Sequence, residues 1–173
     1  MPEIPLRDAA GTRLREPELK DGSAIWSLVR DTGVLDLNSA YSYLMLCKFF
    51  HETCVVAEEH GNIVGFVSAF RLPQEDNAVF VWQIAVAESQ RGKGLASAML
   101  MELLGRKSCQ DISFVLCTIS PSNRPSQALF RKLARDLQTK CEVSRGIPAS
   151  LFPGGTHDDE DLYRIGPIRR PKK

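Results

Sequence analysis

The chain has almost no net charge to offer a partner: 22 Lys and Arg stand against 21 Asp and Glu across 173 residues, a formal net charge of +1. That balance supplies no global field for a nucleic acid or an anionic membrane. Cysteine is sparse and scattered. Cys47, Cys54, Cys109, Cys117 and Cys141 are odd in number and lack CxxC spacing, which excludes a disulfide frame and a zinc site and leaves small apolar side chains in a reducing compartment. No three-ligand metal spacing occurs, so no metal is expected. Apolar runs fall far short of the ~20 residues that cross a bilayer, and none stands behind a basic start. Neither an anchor nor an export signal is expected, and the location implied is cytoplasmic. The one basic cluster, "RRPKK" from Arg169 to Lys173, reads as a solvated tail, with short disordered termini expected at both ends.

What is present suits an ordinary globular domain, with 43% hydrophobic and 25% charged residues and enough chain to bury a core. "TRLREPELKDG" looks like a short strand running into a turn. Asp21 or Ser23 can cap a helix through "SAIWSLVRDT", where Ile25, Leu28 and Val29 share a face and Gly33 provides the stop. A second helix is predicted from Ser39 to about Phe50, with Tyr43, Leu46, Cys47 and Phe50 at helical spacing. Between them lies a loop carrying Asp36 and Tyr41. The period then changes. "TCVVAEE", the turn "HGN", "IVGFVSAFR", the turn "LPQEDN" and "AVFVWQIAV" predict an antiparallel meander. A helix over "SAMLMELLGRK" stopped at Gly105, a strand over "ISFVLCTI", a helix over "PSQALFRKLARDL" and a strand over "DLYRIG" complete the order. "RGIPASLFPGGTHDDE" is expected to be a mobile loop. There is no internal repeat and no linker, so residues 1–173 are read as a single α+β domain.

The stretch "QRGKGLAS", residues 90–97, places two glycines and two cations between a strand and a helix. Such a turn presents unpaired backbone N–H groups and the positive end of a helix to an anion. Its spacing matches neither the Walker pattern nor GxGxxG. On residue pattern alone, a plain strand-to-helix turn fits equally well.

The longer segment "IAVAESQRGKGLASAMLMELL" resembles the acetyl-CoA motif of the GNAT acetyltransferase superfamily, with its Q/R-x-x-G-x-G/A core. The order of elements resembles that family's as well. "SPSNRPSQALFRKL" is similar to its second cofactor segment, with Asn123, Ser126 and Phe130 at the matching positions. Over nearly the whole chain, "LDLNSAYSYLMLCKFF", "VWQIAV", "TISPSN" and "HDDEDLYRIGP" resemble the diaminobutyrate acetyltransferases of ectoine biosynthesis. The resemblance implies a GNAT fold with a mixed, mostly antiparallel sheet flanked by helices. It also implies acetyl transfer from acetyl-CoA to the 4-amino group of L-2,4-diaminobutyrate, and a homodimer.

On that resemblance the backbone of Ile84, Ala85 and Val86 holds the pantetheine arm, and the N–H of Val86 polarises the thioester. Such a preorganised donor is worth about 3 kcal/mol. Arg91, Gly92, Lys93, Gly94, Leu95 and Ala96 hold the pyrophosphate. Phe130 stands where many family members carry a tyrosine acid, and it has no proton to give; Tyr41 or Tyr43 are possible substitutes. A diamino acid has two ammonium groups and one carboxylate. Asp36 and Glu160 are therefore assigned to the ammonium groups, Tyr41 and Trp82 to the pocket wall, and His157 to orienting Glu160 or accepting the proton. The alternatives are a GNAT enzyme for another small amine or a peptide, and an acyl-CoA sensor without turnover.

Overall fold

The computed structural model describes residues 11–170. The expected disordered termini, including Pro171 to Lys173 of the basic tail, lie outside the described residues. The chain divides into two compact units. One runs up to Phe70 and resumes over Gln83–Gln110; the other comprises Arg71–Trp82 and continues from Asp111.

In the first unit β1 (Arg13–Arg15), β2 (Val55–Glu59) and most of β3 (Asn62–Leu72) form an antiparallel ladder, with Leu14 opposite Ala57 and Val56 opposite Phe66. Helix α1 (Gly22–Thr32) ends at Gly33 as its sequence predicts. Helix α2 (Ala40–Phe49) begins after Ser39, whose side chain caps the N–H of Ser42. Their buried faces meet around Ile25, Leu28, Val29, Tyr43, Leu46 and Cys47, closed from the strands by Val56, Phe66 and Ala85. The Tyr43 and Phe66 rings meet edge to face at 6.2 Å. Helix α3 (Leu95–Gly105) packs on β2 and contains Gly105, so the stop comes one residue later, at Arg106. Arg106 is well suited to stop it. Its guanidinium pairs with Glu102 at 2.9 Å and donates to the carbonyls of Glu52 and Cys54 at 3.1 and 2.7 Å.

The second unit holds the first half of β4 (Glu75–Val86), β5 (Phe114–Ile119), helix α4 (Arg124–Asp136), β6 (Lys140–Ile147) and β7 (Glu160–Gly166). β4 pairs parallel with β5 from Ala78↔Phe114 to Phe80↔Leu116. β5–β7 and β6–β7 pair antiparallel. Helix α4 packs on β6 and β7, burying Phe130, Leu133 and Ala134. The hydrogen-bonded strand order is β1-β2-β3-β4-β5-β7-β6, the mixed and mostly antiparallel sheet expected.

Two expectations need correction. The turn assigned to "LPQEDN" is much tighter, because β3 continues to Leu72 and β4 already starts at Glu75. Polar residues enter the strand there because they are held from outside: Arg164 pairs with Glu75, and the Ser113 N–H donates to the Asn77 carbonyl at 2.8 Å. The second correction is β6: the sequence pattern predicts no strand between α4 and the loop that begins at Arg145, yet Lys140–Ile147 is a strand, with a register shift between Ser144 and Ile147. The segment after it also has fixed points. Residues Ala149–Leu151 form a single 3-10 turn, and the Ala149 N–H donates to Asp159 at 2.7 Å.

Candidate active site

The strand-to-helix turn is where the sequence placed its anion cradle. Residues Glu88–Gln90 make one 3-10 turn after β4, and the chain then passes through Arg91 to Gly94 into α3. Gly92 and Gly94 both adopt left-handed backbone, with φ of +75° and +79°, a region that L-residues enter at a cost. A Cβ at either position would meet no atom within 4 Å, so the surrounding space is open. Among the described residues, the N–H groups from Gly92 to Ser97 find no backbone acceptor; the first helical bond is Ala98 N–H to the Gly94 carbonyl at 3.0 Å. Arg91 and Lys93 are exposed on the same turn. Left-handed glycines, unpaired donors and two cations in open space fit a pyrophosphate.

Gln90 does not face that space. It is buried, and its Nε2 donates to Glu59 Oε2 on β2 at 2.8 Å, anchoring the base of the turn to the sheet. Upstream, Ile84 and Val86 are half-buried and Ala85 is buried. The parallel ladder of β4 ends at Phe80, several residues before them. The Ala87 N–H, next in line, donates to the Val64 carbonyl at 2.8 Å.

Asp36 lies in the exposed loop between α1 and α2, and Tyr41, 69% exposed, sits in the first turn of α2. The structure holds Asp36 by its backbone: Gln83 Nε2 donates to the Asp36 carbonyl at 2.7 Å. Asp36 as a whole is exposed. Tyr43 is not available as an acid, because its ring is fully buried and its hydroxyl donates to Gln83 Oε1 at 3.1 Å. Gln83, absent from the sequence reading, and Tyr43, read there as a helix-face residue and a substitute acid, together frame this loop. The signal for Gln83 was a lone amide inside the apolar run "VFVWQIAV".

The second unit carries Trp82, Asn123, Ser126, Phe130, His157 and Glu160. Trp82 is 45% exposed on β4. Asn123 caps α4, its Oδ1 accepting from the Ser126 N–H at 3.2 Å, with Pro125 in the first turn. Phe130 is a core residue at 3% exposure. The acidic run "THDDED" separates into distinct duties. Asp158 accepts from Ser122 Oγ at 2.7 Å and Asp159 from the Ala149 N–H, so both carboxylates secure loops. Glu160 is the half-buried first residue of β7, and among the described residues its carboxylate is not tied up in this way. His157 stacks on Phe152 at 3.7 Å between ring centroids, nearly parallel, and its Nδ1 lies 2.7 Å from the Asp158 carbonyl. A carbonyl only accepts, so Nδ1 carries the hydrogen and Nε2 of the neutral ring keeps a free lone pair.

Burial pushes the Cys47 thiol up to about 11 and Cys54 up to about 12, and raises Cys117 and Cys141 as well. Among the described residues there is no cluster of three or more His, Cys, Asp or Glu able to hold a metal ion, and no helix is long and apolar enough to cross a membrane.

Comparison with known proteins places this geometry. The profile of the acetyltransferase (GNAT) family matches residues 23–134. An L-2,4-diaminobutyric acid acetyltransferase of Halalkalibacterium halodurans is 52% identical over 88% of this chain and 80% of its own length. One of Shouchella clausii is 47% identical over 90% of this chain and 87% of its own. Among solved structures, the diaminobutyrate acetyltransferase EctA from Paenibacillus lautus, in complex with its substrate L-2,4-diaminobutyric acid and coenzyme A, superposes with a TM-score of 0.89. It shares 46% identity and covers 94% of this chain and 98% of its own. Ard1 from Thermoplasma volcanium, at 18% identity and a TM-score of 0.73, shares the fold.

Proposed function

This chain belongs to the acetyltransferase (GNAT) family, and we propose on that premise that it transfers the acetyl group of acetyl-CoA to the 4-amino group of L-2,4-diaminobutyrate. The product is N4-acetyl-L-2,4-diaminobutyrate, the precursor of ectoine. One observation carries this reading: the similarity, over 94% of the chain, to an enzyme bound to that diamino acid and to coenzyme A.

The roles follow from what each residue can offer. Backbone N–H groups from Gly92 to Ala96, with Arg91 and Lys93, take the pyrophosphate. Ile84, Ala85 and Val86 pair with the pantetheine arm, and the Val86 N–H donates to the thioester oxygen as charge develops there. Asn123 and Ser126 line the cofactor's path at the start of α4, Asn123 while capping the helix, and Phe130, buried in the core, supports that helix from beneath. Asp36 and Glu160 receive the ammonium groups, and Tyr41 and Trp82 supply exposed aromatic walls. An ammonium of ordinary pKa about 10 must lose a proton before attack. His157 Nε2 is the acceptor of that proton, its ring oriented by the Nδ1 bond to Asp158 and the stack on Phe152. A C–N bond forms, the attacking nitrogen releases its second proton to water, the C–S bond breaks, and the sulfur takes a proton from water, since Phe130 has none to give. Holding amine and thioester together supplies much of the acceleration.

The whole chain acts as one acetyltransferase domain, in the cytoplasm, within a pathway of osmoprotection. It works as a homodimer. Supporting this, β6 pairs with β7 at the end of the strand order and leaves Val143 and Ile147 exposed. The test is thiol release with acetyl-CoA and a panel of diaminobutyrate, ornithine, lysine, putrescine and a peptide. Preference for diaminobutyrate is expected. Preference for another amine would change the substrate, and acetyl-CoA binding without turnover would make the protein a sensor.

A further inference from the structure

Gln83 presents a buried carboxamide in the middle of β4, at 6% exposure, with no place in the roles assigned above. Burying an amide is costly unless its groups are paired. Here they are paired in a specific direction. Nε2 donates to the Asp36 carbonyl at 2.7 Å, Oε1 accepts from the Tyr43 hydroxyl at 3.1 Å, and the backbone N–H donates to Ser68 Oγ at 2.9 Å. The Tyr43 hydroxyl in turn accepts from the Asn38 N–H at 3.4 Å.

The loop after Gly33 has no regular structure until Ser39. Among the described residues, the polar bonds recorded for its backbone from 34 to 38 are those two: the carbonyl of Asp36 on Gln83 and the N–H of Asn38 on Tyr43. Leu35 adds an apolar contact with the core. The loop is therefore held from both sides of Leu37, and held by the strand that continues directly into Ile84, Ala85 and Val86. A shift of this loop moves the Asp36 carboxylate relative to that strand. Placement errors near 1 Å at a reacting centre cost about 10²-fold in rate.

We propose that Gln83 is a positioning residue for the acceptor, fixing Asp36 against the strand that carries the acetyl group, with the Tyr43 hydroxyl as its partner. This rests on the diaminobutyrate reading above. Gln83 sets the reach of the site: a rigidly held loop accepts the four-carbon diamino acid and disfavours ornithine, one methylene longer.

The test compares wild type with Gln83→Leu and Tyr43→Phe in steady-state thiol release, with acetyl-CoA affinity measured by calorimetry. Losing hydrogen bonds that hold the loop raises the KM for diaminobutyrate about tenfold in Gln83→Leu and several-fold in Tyr43→Phe. The preference for diaminobutyrate over ornithine shrinks in parallel, and acetyl-CoA affinity stays at the wild-type value. Because both side chains hold one loop, the double variant loses less than the product of the single effects. A merely structural role would lower thermal stability and active fraction while leaving KM and selectivity untouched, and that result overturns the proposal. Tyr43→Phe keeps its buried ring and decides the matter if Gln83→Leu fails to fold. Wild type that binds acetyl-CoA but ignores diaminobutyrate would overturn the functional reading itself, an outcome visible before any variant is made.

Discussion

Replacing Gly92 with valine separates the cradle from the scaffold. In the free protein a Cβ at this position meets nothing within 4 Å, so the main cost is that of holding an L-residue at φ +75°, about 1–2 kcal/mol and more for a β-branched side chain. Against a typical stability of roughly 5–15 kcal/mol, the variant stays folded and melts a few degrees lower. Cofactor binding suffers far more. The valine either fills the space the phosphate needs or relaxes out of the left-handed region and turns the N–H groups away. Two lost hydrogen bonds to a charged group, at ~1.5–3 kcal/mol each, weaken acetyl-CoA binding roughly 10²- to 10⁴-fold. Calorimetric titration reads the affinity and a thermal melt reads the fold. Gly61 provides the control, since it has φ +79° and equally empty surroundings in the β2–β3 turn. Gly61→Val should melt lower by a similar amount and bind acetyl-CoA normally. If Gly92→Val keeps wild-type affinity, or if Gly61→Val loses as much, the cradle reasoning is wrong.

Asp36→Ala should raise the KM for diaminobutyrate or lower kcat while calorimetry shows unchanged acetyl-CoA affinity; a loss of cofactor affinity would move Asp36 out of the acceptor site. Asp21 should shape the acid limb of stability. Burial disfavours its charge, but Arg15 at 2.7 Å and the Glu18 N–H more than offset this and hold its carboxyl below the ordinary value. The native state thus binds that proton less readily than the unfolded chain. Its contribution is present above the ordinary aspartate value of about 3.9 and is lost as pH falls through the lower native one. Asp21→Asn should therefore destabilise at pH 7 and flatten the loss of stability below pH 4, as read by urea unfolding across pH. Thiol labelling at pH 8 should reach the half-buried Cys141 before the buried Cys47, Cys54, Cys109 and Cys117, and unfolding should expose all five together. Fast labelling of Cys54 in the native protein would contradict its burial.

Local chemistry was legible wherever it decides local structure. Gly33 stops α1, Ser39 caps α2, His60 and Gly61 turn the β2–β3 hairpin with positive φ, and the Gly-rich segment lies between β4 and α3 as its spacing implied. β6 escaped because it lies at the end of the strand order. Its residues are mostly exposed, so it lacks the apolar alternation by which a half-buried strand is read. Glu75 to Asn77 escaped for a different reason. Their low strand propensity is overridden by partners distant in sequence, Arg164 and Ser113. The acidic run likewise looks uniform as a string of letters. Only the fold shows that Asp158 and Asp159 are committed to Ser122 and Ala149. Gln83 joining Tyr43 and Asp36 is the same kind of fact, since no local pattern pairs residues so far apart.

The most direct test uses acetyl-CoA carrying carbon-13 in its acetyl group, with diaminobutyrate as acceptor and the product examined by two-dimensional NMR. The account predicts a single acetyl group, correlated through the new amide to the protons on carbon 4. Acetylation at the 2-nitrogen, a mixture of the two, or no labelled amide despite bound acetyl-CoA would contradict it.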